Sequence, residues 1–182
     1  MCIRDSIGAD PITSFTETST EALVASNIYE DVVQSALCAS RWRFASNQAE
    51  LNRLSDVPTG RYDLAYQLPA DLLMLHAITV NDNIIEYNVY GDLVYTNGST
   101  SDKVIADYSF RVGTEKFPSY FILALEYSLA SAFAVAIARD EGLASLLERK
   151  GMQLMQQAKT LDSQQQTTRK LVTSRFITER RS

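Results

Sequence analysis

His76, Cys38 and Cys2 are the side chains with the most chemistry to offer, because the chain holds one histidine and two cysteines. An imidazole beside a thiol makes a nucleophile, so Cys38 with His76 would be the dyad of a cysteine hydrolase. Nothing in the spacing supports that pairing. Cys38 lies in an apolar helical pattern, where a thiol acts as a small core hydrophobe. His76 lies in the strand-like run from Leu73 to Val80, where it fills space or faces solvent. No second histidine, HExxH or CxxC completes a metal site. Asp63, Asp71, Asp82 and Asp107 could pair in space for acid–base work, but scattered surface carboxylates are the commoner arrangement. The seven glycines are scattered and cradle no phosphate, and no GxSxG elbow occurs. The sequence predicts no catalytic, cofactor-binding or metal-ligating residue, and so no enzyme. Two thiols give neither a disulfide framework nor a zinc site, which fits a reducing compartment.

Composition narrows the class further. The chain has 182 residues, 46% hydrophobic and 21% charged, as ordinary soluble proteins are. A net charge of −5 argues against a general nucleic-acid binder. The stretch "YFILALEYSLASAFAVAIA", 120 to 138, is long enough to cross a bilayer. Glu126, Ser128 and Ser131 lie within it, and a charge at that depth costs at least ~2.5 kcal/mol. It reads as a buried core helix, with no membrane partner. "MCIRDS" has no apolar h-region and reads as a scar joined to a protein that starts upstream. An N-terminal helix is then expected to be missing.

The elements follow from periodicity. Thr18 to Glu21 fits a capping box. Behind it, Ala25, Ile28, Val32 and Ala36 form one apolar stripe, and Ala22, Tyr29, Val33 and Leu37 a second. That helix is expected to run to about Ser40 and to be largely buried. From Arg61 to Val112 the pattern alternates, with turn signals at Asn81-Asp82-Asn83, Gly91-Asp92 and Asn97-Gly98. Four or five short strands in one small antiparallel sheet are expected there. Seven of the nine tyrosines fall in or beside it, either as cross-strand pairs or as an interface. A helix from Ser119 to about Ala138 carries a small-residue row, Ala124, Ser128, Ala132 and Ala136. Asp140-Glu141-Gly142 breaks it. The next helix, to about Gln166, has Leu143, Leu147, Gly151, Leu154, Ala158 and Leu161 on one stripe. The last segment is basic: Arg169, Lys170, Arg175, Arg180 and Arg181 outweigh Asp162 and Glu179 over 162 to 182.

The expected fold is α+β and mainly α. A bundle of three or more helices carries an inserted small antiparallel β-sheet. Residues 1–60 form a loop, a bundle helix and a tryptophan joint, 61–112 the β insertion, 113–166 the bundle helices, and 167–182 a basic tail.

The order of motifs resembles the head-to-tail adaptor proteins of short-tailed bacteriophages, the tail tubular protein A family. The pieces are "IGADPITSF", "SNIYEDVVQSAL", "RWRFASNQAEL", "YDLAYQLPADLLML", "FPSYFILALEYSLASAFAVAIA" and "KGMQLMQQAKTLDSQQQ", covering nearly all of 7 to 166. The run W-x-F-A-x5-L followed by Y-Q-L-P-x-D-x-L is the most specific part. The resemblance implies a helical bundle bearing a small β domain. It also implies a structural virion protein that forms a homo-oligomeric ring, twelvefold in the family, beneath the portal protein. Such a ring is assembled in the host cytoplasm, extends the DNA channel without sequence-specific binding, and docks a downstream tail or nozzle protein. The basic tail from Arg169 suits portal binding. The alternative is a monomeric assembly or head-completion module.

Trp42 and Phe44 stand where the first helix turns toward the strands. If the turn is extended they share a face and plug the joint, with Arg41 and Arg43 outside. Pro69 would hold Leu68 extended, and Asp71 would accept backbone hydrogen bonds in the same joint.

Overall fold

The computed structural model describes residues 14–55, 58 and 60–165. Ser19, not Thr18, caps the first helix: its Oγ accepts the amide of Ala22 at 3.2 Å. Helix α1 spans Thr20–Cys38, and Ala22, Ala25, Val33, Ala36 and Leu37 are buried on one face. The second stripe read from the sequence supplies three of those five. The opposite face, including Leu23, lies open.

Eight strands follow: β1 (Ser46–Glu50), β2 (Asn52–Arg53), β3 (Leu64–Gln67), β4 (Leu72–Val80), β5 (Asn83–Ile84), β6 (Tyr87–Tyr90), β7 (Leu93–Thr96) and β8 (Val104–Phe110). They form two four-stranded antiparallel sheets, ordered β1-β8-β4-β5 and β2-β3-β7-β6. The sheets share one core. Leu64, Tyr66 and Val94 from one sheet meet Ile78, Val104, Ala106 and Tyr108 from the other. The chain changes sheets at Leu51, which is buried and donates its amide to Val104 O at 2.8 Å. Asn81 and Asp82 both adopt positive φ in the two-residue turn joining β4 to β5, the conformation a tight hairpin requires. Gly91, with φ +60°, opens the matching turn between β6 and β7.

Pro118 precedes helix α2, Ser119–Phe133, and its carbonyl receives the amides of Phe121 and Ile122. A π-helical turn, Ala134–Ala138, extends it and ends at Arg139, φ 52°. Asp140 then caps helix α3, Glu141–Ser163, its Oδ1 accepting the Leu143 amide at 2.9 Å. Helices α2 and α3 form a hairpin in which Gly151 packs against Ser128; a Cβ at 151 would lie 3.4 Å from the Ser128 amide nitrogen. The small-residue row on α2 therefore has a partner. Ser131 Oγ also donates to Ala144 O at 3.1 Å.

The expectation of a mainly helical bundle with a small inserted sheet is overturned. Among the described residues, three helices stand beside two four-stranded sheets, an α+β fold in which the strands are a full layer. Two causes explain the difference. Strands begin at Ser46, before Arg61, because the polar run "SNQAE" pairs along its whole length with β8. In addition, the helices are one-faced rather than bundled all round. Helix α2 with its π turn is long and apolar enough to cross a membrane, and only 33% of its most apolar window is buried, so it is not the buried core helix expected from the sequence. Phe121, Ala124, Leu125, Leu129, Ala130 and Ala134 face inward, while Ile122, Leu123 and Val135 face out. The stripe on α3 departs from its reading as well: Leu161 is exposed, and Asp162 takes the buried position.

Candidate functional site

The joint at Trp42 gathers aromatic rings and buried hydrogen bonds. Trp42 has no exposed surface, and its Nε1 donates to Ala36 O at 2.8 Å. Its ring meets Phe121 edge-on at 5.1 Å and Phe44 at 5.8 Å. Phe44 in turn touches Phe117 and Phe121. The backbone here is not extended. Arg43–Ala45 is a 3-10 turn, closed by the Ala45 amide on Trp42 O. The two rings still share one side of the chain, so the plug forms by a different local geometry. The core around it joins α1 (Val33, Leu37), α2 (Phe121, Leu125), α3 (Ala158) and Val112 at the exit of β8.

Asp162 locks this joint from α3. It is 3% exposed. Its Oδ2 accepts the Arg43 amide at 2.9 Å and its Oδ1 accepts the Tyr120 hydroxyl at 2.8 Å. One carboxylate thus ties the 3-10 turn, α2 and α3 together. Burial, and then the bond to Asp162, push the Tyr120 phenol up to about 12. The sequence did carry a signal for Asp162. It follows Leu147, Gly151 and Ala158 on the buried stripe, and a carboxylate at such a position needs donors.

A second tie runs from α1 to β8. Arg111 gives Nε to Glu30 Oε1 at 2.7 Å and Nη2 to Glu30 Oε2 at 3.0 Å, a two-pronged pair. The guanidinium also lies 5.7 Å above the Phe117 ring. That hydrogen bond holds the Glu30 carboxyl below the usual carboxylate range.

Pro69 and Asp71 stand in the β3–β4 turn, where the Leu72 amide returns to Pro69 O at 3.2 Å. Leu68 is buried and its amide bonds to Asp92 O. The Asp71 carboxylate meets the Tyr108 hydroxyl at 3.4 Å, while the Asp71 carbonyl receives the Arg111 amide. Asp71 thus braces β8 and its exit rather than its own turn. The structure does not bring Pro69 or Asp71 into the tryptophan plug.

His76 bonds through Nε2 to Ser109 Oγ at 2.7 Å. Burial, then the charge of Arg41, lower the imidazole pKa. A serine–histidine pair invites a nucleophile reading, but Ser109 has no exposed surface, so no substrate can reach its oxygen. Beside them Arg41 pairs with Asp107 at 3.5 Å, and Gln48 Nε2 donates to Asp107 at 2.5 Å. Cys38 is a half-buried free thiol at the end of α1. Asp63, Asp71, Asp82 and Asp107 are not gathered. Among the described residues no three His, Cys, Asp or Glu side chains are placed to hold a metal ion. Arg169, Lys170, Arg175, Arg180 and Arg181 lie outside the described residues.

Two surfaces stay open. Tyr90 and Tyr62 each contact Tyr95, with centroids at 5.5 and 6.3 Å, on the outer face of the β2-β3-β7-β6 sheet. Between α1, α2 and α3 runs a groove of about 760 Å³. Val32, Val135, Met152 and Met155 line it, and Asp31, Glu148 and Lys159 also contribute.

No protein-family model and no curated protein matches the chain.

Proposed function

We propose that the chain is a structural virion subunit, a head-to-tail adaptor that assembles as a ring under the portal of a short-tailed phage. The ring extends the DNA channel and gives the tail a docking surface. The ordered motifs from 7 to 166 support this reading, through their resemblance to the tail tubular protein A family.

The groove between the three helices is the observation that carries it. Val135 is 55% exposed and Met152 60% exposed, and both open into it. Large apolar side chains gathered in one concave surface mark a protein interface more often than a solvated face. In a closed ring each copy fills its neighbour's groove, a heterologous contact that cyclic symmetry satisfies for every subunit. The stapled joint at Trp42 suits the same role, because a ring closes only if each subunit holds a fixed angle. The net charge of −5 suits a channel whose walls do not hold a passing polyanion.

The pair Val135→Asp and Met152→Asp tests the groove. Both side chains are exposed, so the isolated subunit should unfold within about 0.5 kcal/mol of the parent. Light scattering of the parent with its portal should show a multi-copy ring, and the double variant should not assemble. Unchanged assembly in the variant would remove the groove from the interface. One feature favours the monomeric head-completion module: the sheet core and the helix core are each closed within one chain. A parent protein that binds portal as a single copy would establish that reading instead.

A further inference from the structure

Asn97 and Gly98 follow β7, and of the asparagines in the chain Asn97 alone precedes a glycine. Both residues are exposed. An asparagine side chain reacts with the amide of the next residue when that nitrogen reaches its Cγ, and a missing Cβ leaves the approach open. Gly98 meets that condition. A Cβ built there would meet Asp102 Oδ2 at 3.4 Å, an ordinary contact.

The fold adds two features that an unfolded Asn-Gly pair lacks. Asn97 Oδ1 accepts the Asp63 amide at 3.0 Å. A main-chain N–H on that oxygen draws electrons from Cγ and stabilises the charge that forms on the oxygen when Cγ is attacked. The bond engages the oxygen and not the nitrogen that must leave. The turn beyond Gly98 is also held closed: Asp102 Oδ2 accepts the Ser99 amide at 3.0 Å, and the Asp102 amide returns to Ser99 O at 3.1 Å.

We propose that Asn97 and Gly98 form a self-modifying site, at which the side-chain amide is lost and the main chain is rerouted through an isoaspartyl linkage. Gly98 N bonds to Asn97 Cγ and gives its proton to solvent hydroxide. The bond from Cγ to Nδ2 breaks, and the nitrogen takes a proton from water and leaves as ammonia. A five-membered succinimide remains. Water then adds to one of its two carbonyls. Opening at Cγ yields aspartate, and opening at the main-chain carbonyl yields isoaspartate, with one extra methylene in the chain. Asn97 ties the exit of β7 to Asp63, which leads into β3. The product sets a new carboxylate near that of Asp102 and lengthens the chain beside the Leu64–Thr96 pair, so this end of the ladder loosens. The site lies on the sheets, away from the helix groove, and its chemistry is independent of ring assembly.

The test incubates the full chain at mildly alkaline pH and follows the tryptic peptide 62–103 by mass spectrometry. A gain of one mass unit should appear at Asn97 ahead of Asn81, Asn83 and Asn88, and should quicken as pH rises. Labelling by isoaspartyl methyltransferase should mark position 97. The folded chain should react at least as fast as the chain unfolded in guanidinium chloride, because the Asp63 amide is in place only when folded. Gly98→Ala has room for its methyl and should fold, yet react at least about tenfold more slowly. The converted chain should melt below the parent. No mass gain at Asn97 overturns the proposal. So does a folded chain about tenfold slower than the unfolded one, a Gly98→Ala variant as fast as the parent, or a converted chain as stable as the parent.

Discussion

Trp42 acts through both ends of its indole. The ring fills the space between α1 and α2, and the N–H is a second donor to Ala36 O, which also accepts the Ala39 amide at 3.3 Å at the C-terminus of α1. Trp42→Ala should cost roughly 3–5 kcal/mol in a urea unfolding experiment, through the cavity and the lost donor. A loss below about 1 kcal/mol would place the side chain outside the core. Tyr120 adds a pH signature. Its folded phenol is raised to about 12 from an ordinary 10.0, so the folded state holds that proton more tightly than the unfolded state. The contribution is complete below pH 10.0 and is lost as pH rises toward about 12. Tyr120→Phe should flatten that part of the alkaline stability profile relative to the parent. An identical slope in both proteins would mean that the hydroxyl does not donate to Asp162. At this scale the sequence pointed to Trp42 and Phe44, because large aromatics between basic residues stand out. The signal for Asp162, its place after Leu147, Gly151 and Ala158, was masked, since a carboxylate near a basic tail reads as one more surface charge.

Elements were legible where their pattern is local. Helix α1 was readable from its stripes, with its cap read one residue early at Thr18, and the α2 and α3 boundary from Asp140. The turns at Asn81-Asp82 and Gly91 were readable from residue types that tolerate positive φ. Strand β1 was not, because Ser46, Asn47 and Gln48 carry no alternation. Its stability comes from backbone pairing with residues some sixty positions away, as in Ser46 with Ser109. The division into two sheets was hidden for the same reason: alternation tells which side faces in, not which strand lies alongside. Gly151 shows the reverse case, a close helix contact visible as small residues on two stripes. A methyl at 151 would sit 3.4–3.5 Å from Ser128 atoms, ordinary contact distance. Gly151→Ala should therefore be neutral or stabilise by up to about 1 kcal/mol, through helix propensity. Gly151→Leu should push α2 and α3 apart and lower the thermal midpoint. If Leu is tolerated as well as Ala, the hairpin is looser than this packing requires.

At the largest scale, the three one-faced helices among the described residues lie beside a closed pair of sheets, with Trp42, Asp162 and the Glu30–Arg111 pair fixing one layer to the other. That division explains why composition alone looked like a bundle. The apolar residues are abundant, but part of the helical supply stays on the outside, at Leu123, Val135 and Met152. In the proposed ring these side chains meet the neighbouring subunit. Electron microscopy of the purified chain mixed with its cognate portal is the most direct measurement. A ring of many copies seated on the portal, with a central opening wide enough for duplex DNA, is the predicted result. A chain that remains monomeric and leaves the portal bare would contradict the adaptor reading.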